Sequence, residues 1–222
     1  MTTSIIINTI TPDEVVSFRI NPGGLARLLD ARAEGGPLLK CFEGSVTLVS
    51  PGRPHESMGH RLDRLILVVC LELGIEHTAL GSTTWALPFG AGDTAYEPDE
   101  AYYVQSQATA KPGQPPDLAV EVVVTYPENK ALLAGAFLGI PELWVLDIPR
   151  HRLTFYHLAT RGRHKGSYRP QPKSRTFPFL TSAEVLERLD DPEPGDTAFL
   201  RNCRDWARRV LLPRPRNANG GA

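Results

Sequence analysis

The chain has 222 residues, 41% hydrophobic and 22% charged, with a formal net charge of -1. That length supports one good core, and the composition excludes a disordered or collagen-like chain. The balanced total does not identify partners, because it can hide separated charge patches.

The three cysteines, Cys41, Cys70 and Cys203, are far apart and form no CxxC pair, so no zinc site is indicated by spacing and a reduced cytoplasmic protein is expected. No stretch approaches the length needed to cross a bilayer, the N-terminus carries no targeting pattern, and neither a membrane nor a small-molecule cofactor is expected as a partner.

In chain order, Ser4 to Asn8 reads as a short strand, and LARLLDARAE between two glycine pairs reads as a small helix, so residues 1–36 form a lid or packing arm. Pro37 to Val49 reads as two strands around a Glu43-Gly44 turn. From His55 to Leu73, Met58, Leu62, Leu65, Ile66, Val69 and Leu73 recur at helical spacing, which predicts the longest helix with one face on a sheet. Two short strands are expected within Ile75 to Leu87, and another from Glu100 to Gln105 after Pro98-Asp99.

Leu118 to Val124 is an apolar, β-branched run interrupted only by Glu121, as expected of a central strand covered on both faces. A short helix and the strand ending at Asp147 follow. Arg152 to His157 alternates as an outer strand with a partner near Ser167. A helix over about Ala198 to Leu211 precedes an Arg/Pro/Gly tail expected to be mobile. Residues 37–197 thus form the main domain and 198–222 its C-terminal helix and basic tail. The class is α/β, with a mixed β-sheet flanked by helices.

A carboxylate inside an apolar strand requires compensation. Asp99, also at a strand after a proline, could share a magnesium ion with Glu121, since magnesium takes oxygen ligands and keeps several waters. Lys130, opening the next helix, could orient water or stabilise charge on a phosphate. The competing readings are a turn-capping Asp99, a salt bridge from Glu121 to a lysine, and a solvated Lys130. From Ile148 to Ala183 there are eight cations, among them Arg150, Arg152, Arg161, Arg163 and Lys165, and no acid. These could grip DNA phosphates or form a solvated face.

The segments GSTT (Gly81 to Thr84), EPDEAYYV (Glu97 to Val104), PPDLAVEVVVT (Pro115 to Thr125) and GIPELWVLD (Gly139 to Asp147), with SPGRPHE upstream, resemble the Uma-type restriction endonuclease family of the PD-(D/E)XK nuclease superfamily. The resemblance covers about Leu38 to Phe155. It implies a restriction-endonuclease-like core and a Mg²⁺-dependent DNA endonuclease, with Mn²⁺ as a possible substitute, acting as a homodimer. Asp99 and Glu121 would bind the metal, with the carbonyl of Val122 as a further ligand and Lys130 in the role of the lysine. Glu43 could join as a ligand or base, or simply form a hairpin turn. His55 could contact a phosphate or cap the long helix.

The family's lysine is expected at position 131 and a tyrosine at 135, where this chain has Ala131 and Gly135. A literal pattern would select Asp117, Glu128 and Lys130, but Tyr126-Pro127 ends the strand before Glu128, which breaks the alternation such a motif needs. A catalytically weak or inactive DNA-binding or regulatory protein of this fold is the rival reading. An RNA or small-phosphoester phosphodiesterase is a third.

Overall fold

The computed structural model describes residues 10–32, 36–87, 92–104, 113–124, 129–159, 166–192 and 195–214. The expected strand at Ser4 to Asn8, the basic residues Arg161, Arg163 and Lys165, and the C-terminal tail beyond 214 lie outside them. The described strands form two sheets.

The first sheet is antiparallel. It contains β1 (Val15–Arg19), β2 (Leu38–Phe42), β3 (Ser45–Val49), β5 (Trp85–Ala86) and β6 (Ala95–Tyr96), in the order β1-β3-β2-β6-β5. β2 and β3 join through Glu43 and Gly44, both with positive φ (48° and 74°), the two-residue turn whose twist matches a hairpin. Helix α1 (Gly24–Ala31) covers this sheet with Leu25 and Leu28 against Leu39, Cys41 and Leu48.

The second sheet is mixed. It contains β4 (His77–Ala79), β7 (Glu100–Val104), β8 (Leu118–Val123), β9 (Glu142–Asp147), β10 (Arg152–Ala159) and β11 (Ser167–Gln171), in the order β11-β10-β9-β8-β7-β4. Among the described strands only β8 and β9 pair in parallel, and parallel neighbours need a crossover. Helix α3 (Asn129–Leu138) lies between them in sequence and provides it.

Along β8 the side chains alternate. Leu118, Val120 and Val122 join a core with α2 (Arg53–Leu73), α4 (Ser182–Leu189) and α5 (Asp196–Trp206). Ala119 and Val123 join a second core with α3 and with Tyr96 of the first sheet. Period-two alternation therefore turns Glu121 toward α3 and the first sheet.

Helix α2 begins two residues earlier than its apolar spacing suggested, because Pro54 fits the first helical turn, and it ends at Gly74 in the left-handed region (φ 64°). Helix α4 was not anticipated. Its signal is the capping box formed by Thr181 and Glu184, a Thr-x-x-Glu pattern hidden within an acidic stretch. Among the described residues, no helix is long and apolar enough to cross a membrane.

Candidate active site

Continuing the β7–β8 register by one residue places Asp99 opposite Glu121, and the Asp99 amide donates to the Val120 carbonyl at 3.0 Å. The sequence-predicted acids are therefore neighbours. The Val122 N–H donates to Asp99 Oδ2. His55, in the first turn of α2, brings Nε2 to 3.2 Å from the same oxygen. Asp99 is held through Oδ2, while its buried Oδ1 has no hydrogen-bond partner among the described residues. Burial pulls the His55 pKa down, but the close contact with the Asp99 carboxylate and its charge, with the charge of Glu121, raise it above the ordinary histidine value.

Glu121 has the opposite environment. Lys40 Nζ lies 2.8 Å from its Oε1, and both side chains are fully buried. The Tyr96 hydroxyl donates to Oε2 at 2.8 Å. Lys40 and Tyr96 are directly opposed in the β2–β6 ladder, so the first sheet presents two adjacent donors to one carboxylate of the second. Burial disfavours the Lys40 ammonium, yet the charges of Glu121 and Asp99 outweigh that and raise its pKa. The Tyr96 phenol is pushed well above its usual value by burial and the Glu121 charge.

The strand carrying Asp99 is anchored nearby. Arg32, just after α1, makes a two-point pair with Glu97 (2.7 and 2.8 Å). Glu97 also accepts from the Leu39 N–H and from the hydroxyl of Thr84, which gives the GSTT segment a structural role. The N-terminal arm is thereby tied to the segment two residues before Asp99.

Asp99 opens on a cleft of about 260 Å³ lined by His55, Glu56, His60, Ser82 and Glu100 among others. Burial, followed by the charges of Asp63, Asp99 and Glu56, pushes the Glu100 carboxyl up to about 7.

A family model described as Uma2, putative restriction endonuclease, matches residues 26–190. The chain belongs to the Uma2 family. The match spans every charged group of this cluster, from Arg32 and Lys40 through His55 and Asp99 to Glu121. Among solved structures, a putative nuclease belonging to DUF820 from Anabaena variabilis is similar at 15% identity with a TM-score of 0.49, covering 74% of this chain and 98% of that one. No curated protein matches.

Within this Uma2 chain, Lys130 does not join the acids in the described structure. Its ammonium donates to the Val46 carbonyl (3.2 Å) and the Thr47 hydroxyl of β3. Burial lowers its pKa, and the charges acting on it are those of Cys41 and Arg19. One residue later Ala131 is 1% exposed and packs with Tyr96 and Val123. A step of one residue rotates a helical side chain by about 100°, so position 131 faces this interior and position 130 turns from it. The salt bridge from Glu121 to a lysine is present, but the lysine is Lys40, which sequence reading did not single out because the two are 81 positions apart; the only hint was a lysine inside the apolar run LLKCF.

Glu43 is exposed in the hairpin turn. Gly135 stands where a tyrosine was expected, and a Cβ there would lie 3.1 Å from the Tyr168 hydroxyl. Tyr168 arrives from β11 and donates to the Ile140 carbonyl at 2.8 Å, filling that space from another strand. Asp117 accepts from the Val104 N–H at 2.9 Å, as a residue opening β8, while Glu128 lies outside the described residues.

The basic stretch is less unbalanced than its sequence suggests. Asp147, one residue before it and 3% exposed, lies 2.7 Å from Arg150 and 3.7 Å from Arg152.

Among the described residues, no three His, Cys, Asp or Glu side chains gather as a metal cage. Magnesium needs fewer protein ligands than that, because it keeps several waters. The buried, unpartnered Asp99 Oδ1, with a second carboxylate on the adjoining strand, fits such an ion.

Proposed function

We propose that the protein is an endonuclease that hydrolyses phosphodiester bonds of duplex DNA with help from a divalent ion, Mg²⁺ or in its place Mn²⁺. The observation supporting this reading is the Asp99 carboxylate, fixed through one oxygen and without a partner among the described residues through the other, at the wall of a cleft and opposite Glu121. Asp99 would hold the ion, with Glu121 beside it and, on the family resemblance, the Val122 carbonyl as a further oxygen. Such an ion supplies an activated water and offsets charge developing on the phosphate.

The protein's own groups divide the remaining work. His55 and the Val122 N–H fix the direction of the Asp99 carboxylate. Glu100 lines the same cleft and can take the proton of the attacking water as the phosphorus–oxygen bond forms and the ester oxygen leaves. Arg150, Arg152, Arg161, Arg163 and Lys165 are proposed to contact phosphates. On family analogy two copies would bring two sites to two strands, and the working compartment would be the cytoplasm.

A second reading rests on Glu121, which is unexposed and engaged through both oxygens. In that reading the fold binds DNA without cutting it. Supercoiled plasmid incubated with the protein and Mg²⁺ separates the two. The first predicts nicking abolished by EDTA and by a folded Asp99→Ala variant. Salt-sensitive binding that ignores Mg²⁺ and leaves DNA, single strands and RNA intact would establish the second.

A further inference from the structure

Four carboxylate oxygens meet at this site, and three are engaged. Glu121 Oε1 faces the Lys40 ammonium at 2.8 Å, and Oε2 accepts from Tyr96. Asp99 Oδ2 accepts from the Val122 N–H and lies beside His55 Nε2. Asp99 Oδ1 alone is both buried and without a partner among the described residues.

Asp99 lines the cleft, whereas Glu121 has no exposure. The ammonium is also confined: it reaches the Glu97 carbonyl at 3.4 Å, and its strand neighbour Tyr96 holds the other oxygen of the same carboxylate. Swinging it away would strand a buried charge. A divalent ion approaching Glu121 would meet a fixed positive charge, and repulsion between cations a few ångströms apart is strong in a dry interior.

We infer that Lys40 is a built-in cation on Glu121, so that the site takes up a single divalent ion and takes it on Asp99. Lys40 is thus a positioning residue. It keeps Glu121 in place and confines the ion to the cleft side of the pair. This rests on the reading of Asp99 as a metal ligand, but not on DNA being cut.

Isothermal titration with Mn²⁺, which reads binding without turnover, tests it. The wild type binds one ion, and Asp99→Asn binds none. Lys40→Met removes the competing charge and tightens binding by about fivefold or more, whereas a purely structural lysine would weaken it when lost.

Should Lys40→Met fail to fold, the double variant Lys40→Met/Glu121→Gln decides, because it removes the charges as a pair and leaves Asp99 untouched. It keeps one ion with affinity within about fivefold of wild type. A larger loss would make Glu121 itself a ligand and overturn the inference. Two ions in the wild type, none at all, or a folded Lys40→Met variant with tightening below about fivefold would overturn it as well. A wild type that binds one ion in this way yet cuts no DNA refutes the nuclease reading and leaves the role of Lys40 standing.

Discussion

Lys40 and Glu121 face each other across the two sheets at 2.8 Å, neither exposed to solvent. A buried ion pair contributes little net stability, but removing one partner leaves a charge without compensation. Glu121→Gln and Lys40→Met should each lower unfolding free energy by about 3 to 5 kcal/mol, and the Lys40→Met/Glu121→Gln double variant should recover most of that loss. Urea denaturation of the four proteins measures the coupling, and additive losses would show that the two charges do not depend on each other.

Glu142 of the GIPELW segment is a second buried acid, with a different task. It accepts from Trp144 Nε1 (2.8 Å), the Arg175 and Thr176 amides (3.0 and 2.7 Å) and Ser174 Oγ (3.2 Å), pinning the loop after β11 to the middle of the sheet. Burial raises its pKa, but these hydrogen bonds and His157 lower it more, to below its ordinary 4.5. A depressed folded pKa gives stability that is complete above the unfolded value and lost as pH falls through the folded one. Glu142→Gln should therefore cost about 2 to 3 kcal/mol at pH 7 and flatten the decline of stability below pH 4.5. An unchanged acid limb in pH-dependent thermal unfolding would contradict this.

Much of this fold follows from local pattern. The apolar, β-branched run that marked Leu118 to Val124, the helical spacing from Met58 to Leu73, and the Glu43-Gly44 turn all depend on neighbours in sequence, and the strand, helix and turn appear in the structure. The pairing of Asp99 with Glu121 was legible for a similar reason, since both acids interrupt or open apolar strands. The partner of Glu121 was not. Lys40 reaches it only because the tertiary fold brings β2 and β6 of the first sheet to the side of β8 that carries Glu121, and no local pattern encodes that meeting. Lys130 was nearer in sequence, but its place on the helix turns it toward β3. The run of cations after Ile148 looked unbalanced for a related reason: Asp147, beside Arg150 and Arg152, stands one residue outside it.

Glu43 sits at φ 48° in a two-residue hairpin turn, a conformation that asparagine tolerates better than glutamate. Glu43→Asn should raise stability by about 0.5 kcal/mol and leave Mn²⁺ binding unchanged. Loss of metal affinity in this variant, with stability intact, would restore Glu43 to the site.

Gly135 leaves room for the Tyr168 hydroxyl. Gly135→Ala pushes a methyl to about 3 Å from that oxygen and should cost about 1 to 2 kcal/mol, less in a Tyr168→Phe background, where the contact is relieved. Equal costs in the two backgrounds, measured by thermal unfolding, would show that Tyr168 does not fill this space.

Asp99, Glu121 and Lys40 are proposed as the working cluster, without the lysine on α3. Single-turnover cleavage of end-labelled duplex DNA in Mg²⁺ measures this. Asp99→Asn should slow cleavage by about a hundredfold or more, while Lys130→Ala should stay within about threefold of wild type. A hundredfold loss in Lys130→Ala, or undiminished cleavage by Asp99→Asn, would contradict it.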